Sequence, residues 1–227
     1  GRGNCSLPNL KACTCKNGWA SSDCSMTSTE YKQVQQFREQ VMSALVASVT
    51  TLDPVELSNP DTVLQVSQMF TVGAASVEQL NPQTRLLLVQ GMSTLVSSVD
   101  KASLPASAVN NFASCLNNLI GDIFNTKPNT IGSLNSKELS SSVSAIVTKL
   151  LQGALADAIQ GEDPFTFSGD EIALFASRVL PSALSNYKVS MPQVGSSKTA
   201  AQVALPEDFS SIMSSLKRAS APSAIDI

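Results

Sequence analysis

The sequence predicts a mainly α protein, in which an antiparallel helical bundle follows a short cysteine-rich segment and precedes a set of short strands. Apolar residues recur every three or four positions through the middle of the chain, which is the period of a helix with one buried face. This period is lost after Gly161, where Gly, Pro, Asn and Ser separate short apolar runs. Four of the five cysteines precede the helical pattern, so the first segment is predicted to be cross-linked rather than packed.

The composition argues against two kinds of partner. The net charge is −3 and no basic cluster exceeds the pair Lys217 and Arg218, so the positive surface that nucleic-acid binding requires is missing. Uninterrupted apolar runs, such as Leu86 to Val89, are far shorter than the roughly 20 residues that cross a bilayer. We therefore predict no nucleic-acid partner and no membrane span in this segment.

Regularly spaced apolar residues predict a long first helix. Thr27 to Thr29 offer caps ahead of Glu30, and Asp53-Pro54 ends the helix. The stripe predicted to face the core consists of Tyr31, Val34, Phe37, Val41, Leu45, Val49 and Leu52.

Four further helices follow. Asn59-Pro60 and Asn81-Pro82 each place a capping amide before a proline at the first helical position, and two more helices are predicted over residues 106–124 and 136–159. Each helix has one apolar face and the connections are short, as an antiparallel bundle requires. The predicted inward positions are Val63, Val66 and Phe70; Leu86, Val89, Met92 or Ser93, and Val96; Val109, Phe112, Leu116, Leu119 and Ile123; and Leu139, Val143, Ile146, Leu150 and Leu155.

The residues favour a protein that is not an enzyme. The chain contains no histidine, so neither Cys115 nor the many serines can form the nucleophile and imidazole pair of common hydrolases. The acidic pairs Glu162-Asp163 and Asp170-Glu171 could bind calcium or share a proton, but adjacent residues on a strand point to opposite faces. We predict no catalytic residue, no cofactor and no metal.

The N-terminal cysteines admit two interpretations. Cys5, Cys13, Cys15 and Cys24 could supply four thiolates to a zinc ion. Structural zinc sites usually employ two Cys-x-x-Cys pairs, however, and this chain has the single close pair Cys13-Thr14-Cys15. Disulfide bonds therefore fit the spacing better.

The order Cys-x-Cys, then Gly18-Trp19, then Cys24 resembles the carboxyl-terminal half of an EGF-like module, and GRGNC resembles the segment before the third cysteine of tenascin-type repeats. The resemblance covers about the first 25 residues and implies a disulfide between Cys15 and Cys24. Cys5 and Cys13 pair either with each other or with upstream cysteines that are missing from this sequence. Disulfides imply an oxidising, extracellular or cell-surface location.

Two further residues of this segment are candidate sites. Asn4 begins an Asn-x-Ser tripeptide, which predicts a glycan. Trp19 either packs over the loop from Cys15 to Cys24 or docks the segment onto the helices or a partner chain. The sequence starts without an initiator Met or an apolar signal region, so we expect a segment of a longer protein.

Most of the chain, from residue 27 onward, resembles the GAIN domain of adhesion receptors and polycystin-1-like proteins. The resemblance rests on a capped helical bundle, a GEDPFT entry into strands, Ile172-Ala173-Leu174 leading through Arg178 to Leu184-Ser185, and Val203 to Pro206. It implies a β-sandwich subdomain whose first strands are PFTFS, EIALFASRVL, NYKVSMP and AQVALP. The family's cleavage tripeptide, His-Leu-Thr or His-Leu-Ser, is not in this chain, so no catalytic residue is implied.

These resemblances imply three units: an EGF-like stub over residues 1–26, a helical subdomain over 27–160 and the start of a β-sandwich over 161–227. The expected function is a non-enzymatic extracellular stalk or docking segment of a cell-surface membrane protein. The alternatives are a subunit of an extracellular filament or matrix and, less favoured, a secreted hydrolase whose base comes from another chain. Expected partners are proteins, including the continuation of the same polypeptide, a membrane channel or a filament.

A sandwich that has received about four of its strands would expose part of its apolar face. We therefore expect its apolar residues either to meet strands missing from this sequence or to lie against the helices. They are Phe165, Phe167, Ile172, Leu174, Phe175 and Val203.

Overall fold

The protein is mainly α, as the sequence predicts. The computed structural model describes residues 1–5, 13–99, 104–125, 136–180, 183, 187–195, 202–204 and 225–226. More than half of these residues are helical, and the strands are short. The helices are α1 (Ser28–Thr50), α2 (Pro54–Leu57), α3 (Pro60–Ala74), α4 (Pro82–Ser98), α5 (Ala106–Asn125) and α6 (Ser136–Ala154), with a 3₁₀ turn at Val77–Gln79.

Side-chain caps fix the starts of the first helices. The Thr27 hydroxyl accepts from the backbone N–H of Glu30, while the Glu30 carboxylate accepts from the backbone N–H of Thr27. Asn59 and Asn81 cap α3 and α4 ahead of a proline, which confirms the predicted starts. α1 ends at Thr50, ahead of Asp53-Pro54 as predicted, and Asp53 begins α2 with a second capping box.

The helices share one apolar core to which all six contribute. The most extensive packing joins α3 to α5, α1 to α4, and α4 to α6. The rings of Phe70 and Phe112 meet edge to face at the α3–α5 contact, with 6.1 Å between their centroids. Beside them the Asn111 amide donates to the Ser67 hydroxyl, so polar atoms in this contact are paired.

The prediction for α1 was partly wrong. Its buried residues are Met42, Val46 and Val49, while Phe37 and Val41, which were assigned to the core, are exposed. Two glycines on neighbouring helices explain why Met42 and Val46 face the core in place of Phe37 and Val41. A Cβ at Gly91 of α4 would lie 2.9 Å from Val46, and one at Gly73 of α3 would overlap the sulfur of Met42. Because glycine has no Cβ, α1 approaches closely at these points and turns Met42 and Val46 inward.

The end of α6 also differs from the prediction. The helix ends at Ala154 instead of residue 159, and Ile159 is exposed. The N–H of Ala156 donates to the carbonyl of Gly153, and the N–H of Ala158 donates to the carbonyl of Leu155. These hydrogen bonds span three residues instead of four, so the chain tightens into turns before the first strand of the second half.

The strands form antiparallel pairs in which β1 joins β2, β3 joins β4, β5 joins β6, β8 joins β9, and β7 joins β10. Three of the four predicted runs hold one strand each, and EIALFASRVL holds two, β6 and β7. The strands are β1 (Gly3–Asn4), β2 (Thr14–Cys15), β3 (Trp19–Ala20), β4 (Met26–Thr27), β5 (Phe165–Ser168), β6 (Ala173–Ala176), β7 (Arg178–Val179), β8 (Lys188–Ser190), β9 (Gln202–Ala204) and β10 (Ile225–Asp226).

The hairpin of β5 and β6 lies against the helices. Phe165 and Ile172 pack on the helical core, and Leu174 is buried. The Asn117 side-chain oxygen on α5 accepts from the backbone N–H groups of Glu171, at 2.8 Å, and Ile172, at 3.1 Å. Of the expected apolar residues, Phe167 and Phe175 are half-buried, and the Val203 side chain lies outside the described residues.

Candidate interaction surface

Two disulfide bonds cross-link the N-terminal segment. Cys15 is bonded to Cys24, the pair that the EGF-like resemblance implies, and Cys5 is bonded to Cys13, one of the two alternatives for those residues. Ladders of two residues on each strand join β1 to β2 and β3 to β4. Such bonds persist in oxidising compartments, so they suggest a secreted or extracellular protein.

Trp19 lies at the junction between the cross-linked segment and α1. The guanidinium carbon of Arg2 lies 3.9 Å from the centre of its ring, and an Arg2 N–H donates to the carbonyl of Ser25. Trp19 is half-buried and is paired with Thr27, the residue that caps α1. The sequence left open whether Trp19 packs locally or docks the segment, and this position places it beside the helix start.

Two carboxylates stabilise the same junction. The pKa of Asp23 is lowered to about 2. The largest cause is the hydrogen bond that the Ser21 hydroxyl donates to the Asp23 carboxylate, and hydrogen bonds from Ser25 contribute less. The pKa of Glu30 is lowered mainly by the hydrogen bond from the backbone N–H of Thr27 and less by the one from the Thr27 hydroxyl. The positive charge of Arg2 lowers it further. Both carboxylates are hydrogen-bonded in their charged form, so they hold the turn before α1 most firmly when ionised.

The other candidate residues from the sequence, among them Asn4, Cys115 and Glu162, lie in separate surroundings. Asn4 is exposed on β1, next to the bonded Cys5. The Cys115 thiol is fully buried in α5, and burial raises its pKa well above the ordinary value, which keeps it neutral. The Glu162 carboxylate accepts from the backbone N–H of Ile159. Within the described ranges, His, Cys, Asp and Glu side chains nowhere gather in threes that could hold a metal ion.

An apolar groove lies between α1 and α3. Its floor is the contact of Met42 with Gly73, and its walls are apolar side chains that project into solvent. It encloses about 760 Å³. The exposed wall residues are Phe37 (66%), Val41 (42%), Met69 (54%) and Val72 (72%).

The rim of the groove is polar with a single charged group. Gln65 and Gln68 border it on α3, and Arg38 borders it on α1. Among the described residues that line the groove, Arg38 carries the only charge. A contiguous apolar patch with a polar rim is typical of a surface that binds another molecule.

The sequence interpretation missed this groove. It assigned Phe37 and Val41 to the core and gave no role to Met69 or Val72. A signal was present, because the apolar residues of α1 span about half of its circumference, from Phe37 and Val41 through Leu45 and Val49 to Met42 and Val46. A helix at the edge of a core usually buries a narrower stripe.

Comparisons with models of known families, with curated proteins and with solved structures give no significant match to this chain. The geometry of its own surface therefore carries the functional argument. In the part of the chain that the structure describes, no helix has both the length and the apolar character to cross a bilayer.

Proposed function

We propose that this chain is a non-enzymatic extracellular stalk or docking segment of a cell-surface protein and acts through protein–protein contacts. The observation that carries the proposal is the exposed apolar groove between α1 and α3 on a chain with two disulfide bonds. The largest apolar patch on a soluble monomer is often a functional surface. The disulfide bonds support a role in an oxidising, extracellular environment.

The architecture supports a receptor-like context for this role. A cross-linked stub precedes helices with a common core, and strand pairs follow them, which is the order expected for an EGF-like module ahead of a GAIN-like domain. On this proposal the helices form subdomain A as an antiparallel bundle. The strands begin the β-sandwich of subdomain B, and Phe167 and Phe175 would contact its further strands.

Binding to intact cells tests the proposal. The full chain, secreted from eukaryotic cells and fluorescently labelled, is expected to bind some cell lines saturably, and trypsin treatment of those cells should abolish binding because the receptor is a protein. The Val72→Glu variant should lose this binding, since it places a charge in the groove. A matched control is Val55→Glu, because Val55 on α2 is 77% exposed and lies outside the groove.

Four results would count against the proposal. Binding that survives trypsin would indicate a lipid or glycan receptor, and equal loss in both valine variants would show that the groove is not the contact surface. Absence of saturable binding on every line tested would remove the docking role. Concentration-dependent growth into long assemblies during sedimentation would favour the filament subunit instead.

A further inference from the structure

The groove between α1 and α3 is too small to be the face of a stable dimer. Four side chains of this size, exposed by 42 to 72%, offer on the order of 300–400 Å² of apolar surface. A stable protein–protein interface buries about 800 Å² of total surface on each partner, of which a little over half, or about 450 Å², is apolar. A second copy of this chain would therefore need further contacts, whereas a short segment of a partner would be covered by the groove alone.

The shape of the groove matches one helix. Its lining on α1 runs from Phe37 to Leu45, a rise of about 12 Å, or roughly two helical turns. The walls converge on Met42 and Gly73, so a rounded ridge fits between them. Recognition of an amphipathic helix in such a groove uses apolar anchors one and two turns apart. The methionines, Met42 and Met69, have flexible side chains that adapt to the anchors.

The charge at the rim specifies a second feature of the partner. Among the lining residues described, Arg38 is the single charged group, and the opposite wall presents the amides of Gln65 and Gln68. A carboxylate beside the anchors would pair with the Arg38 guanidinium. A lysine or arginine at that place would be repelled.

We propose that this groove binds an amphipathic α-helix of a partner protein that carries apolar residues at positions i, i+3 or i+4, and i+7, with an Asp or Glu flanking them to pair with Arg38. The inference rests on the proposed docking function and names its ligand. The partner is not a second copy of this chain, because the apolar area falls short of what self-association needs.

Selection from a displayed peptide library tests the inference. The probe is a library of peptides of about 18 residues, or five helical turns, presented to the full oxidised chain. Enriched peptides should show the helical apolar period and an acidic residue at one fixed offset. Their affinity should fall at least about tenfold with Val72→Glu and remain unchanged with Val55→Glu.

A charge exchange tests the role of Arg38. Selection against the Arg38→Glu variant should replace the acidic position by Lys or Arg, and the original peptides should lose about tenfold in affinity. Lys32→Glu is the matched control, because Lys32 lies on the exposed surface of α1 outside the groove. Selected peptides that keep their acid, or never had one, would overturn the electrostatic part of the proposal and with it the stated partner.

Other outcomes would name other occupants. Enrichment of peptides without helical period would overturn the inference, as would no enrichment at all. A dimer of the wild-type chain that dissociates on Val72→Glu would assign the groove to a second copy, and displacement of a bound fluorescent fatty acid from it would assign it to acyl chains.

Loss of cell binding with Val72→Glu, together with a failed selection, refutes the helical ligand but leaves the docking function intact. Specific peptides without any cell binding refute the docking function alone.

Discussion

The cross-linked N-terminal segment and the helical region are stabilised in different ways. Among the described residues before α1, Cys24 is the only buried side chain, and two disulfide bonds hold the segment together. The helical region instead buries an apolar cluster to which all six helices contribute, and its one cysteine, Cys115, is a free thiol. A segment too short to build a core depends on covalent bonds, whereas the helices depend on packing.

This difference explains which region can carry an exposed apolar surface. The helical core is large enough that Phe37, Val41, Met69 and Val72 are not needed to complete it. Their exposure leaves the core intact while it keeps an apolar groove open to solvent. The N-terminal segment buries too little to spare such residues, since among its described residues Trp19 and Met26 lie in the β3–β4 ladder next to α1. The proposed binding surface therefore lies on the packed region.

The largest expected effect is the loss of an aromatic ring from the core. Phe112→Ala removes a fully buried ring that contacts Phe70, so the free energy of unfolding should fall by about 3–5 kcal/mol. Denaturant unfolding followed by circular dichroism measures this loss, which should be equally large after reduction of the disulfides. Phe37→Ala is the matched control and should change stability by less than about 0.5 kcal/mol. Equal losses in the two variants would contradict the burial of one ring and the exposure of the other.

The contrast between these two phenylalanines also shows how far the sequence could predict the structure. Phe70 and Phe112 were assigned correctly because their stripes are the only apolar faces of α3 and α5 that align over several turns. Phe37 was assigned wrongly because the apolar arc of α1 is wider than the face that it buries, and the part that faces the core depends on Gly73 and Gly91 of other helices.

Local sequence patterns likewise could not predict contacts between distant parts of the chain. The pairing of β7 with β10 joins Val179 to Ile225, and Asn117 binds the backbone at Glu171. Neither contact leaves a periodic signal in the sequence, because each involves a single residue or two. The groove depends on the same kind of long-range information, so only its individual residues, and not their meeting, were visible beforehand.

Removal of one disulfide should affect the N-terminal segment alone. In the double variant Cys15→Ser and Cys24→Ser, opening a loop of about ten residues should cost about 2–3 kcal/mol of local stability. Hydrogen exchange at β3 and β4 should accelerate, while the thermal midpoint of the helices stays unchanged. Cys115→Ala serves as the opposite control, because it should lower the helical midpoint and leave exchange in the segment unaltered. A large fall of the helical midpoint in the disulfide variant would show that the two regions are not independent.

A single amide should control the attachment of the β5–β6 hairpin to the helices. Asn117→Ala leaves the backbone N–H groups of Glu171 and Ile172 without their acceptor, at a cost of about 1–3 kcal/mol. Limited proteolysis should then cut the hairpin faster, although the helices melt nearly as before. Asn110→Ala, an exposed position on the same helix, should have no effect. Unchanged cleavage in Asn117→Ala would mean that Phe165 and Ile172 hold the hairpin by packing alone.

The smallest expected effect is a loss of order at the junction in acid. The folded pKa of Asp23 is about 2, below its ordinary 3.8, and that of Glu30 is lowered from 4.5. Their stabilising contribution is therefore complete above those ordinary values and disappears as the pH falls through the lowered ones. The Thr27 amide, which donates to the Glu30 carboxylate at 2.8 Å, should lose its protection from hydrogen exchange over that acidic range, before the helical core unfolds. Glu30→Gln keeps an acceptor at the cap but cannot titrate, so its Thr27 amide should stay protected. Equal loss of protection in the variant would assign the acid sensitivity to Asp23 or to groups elsewhere.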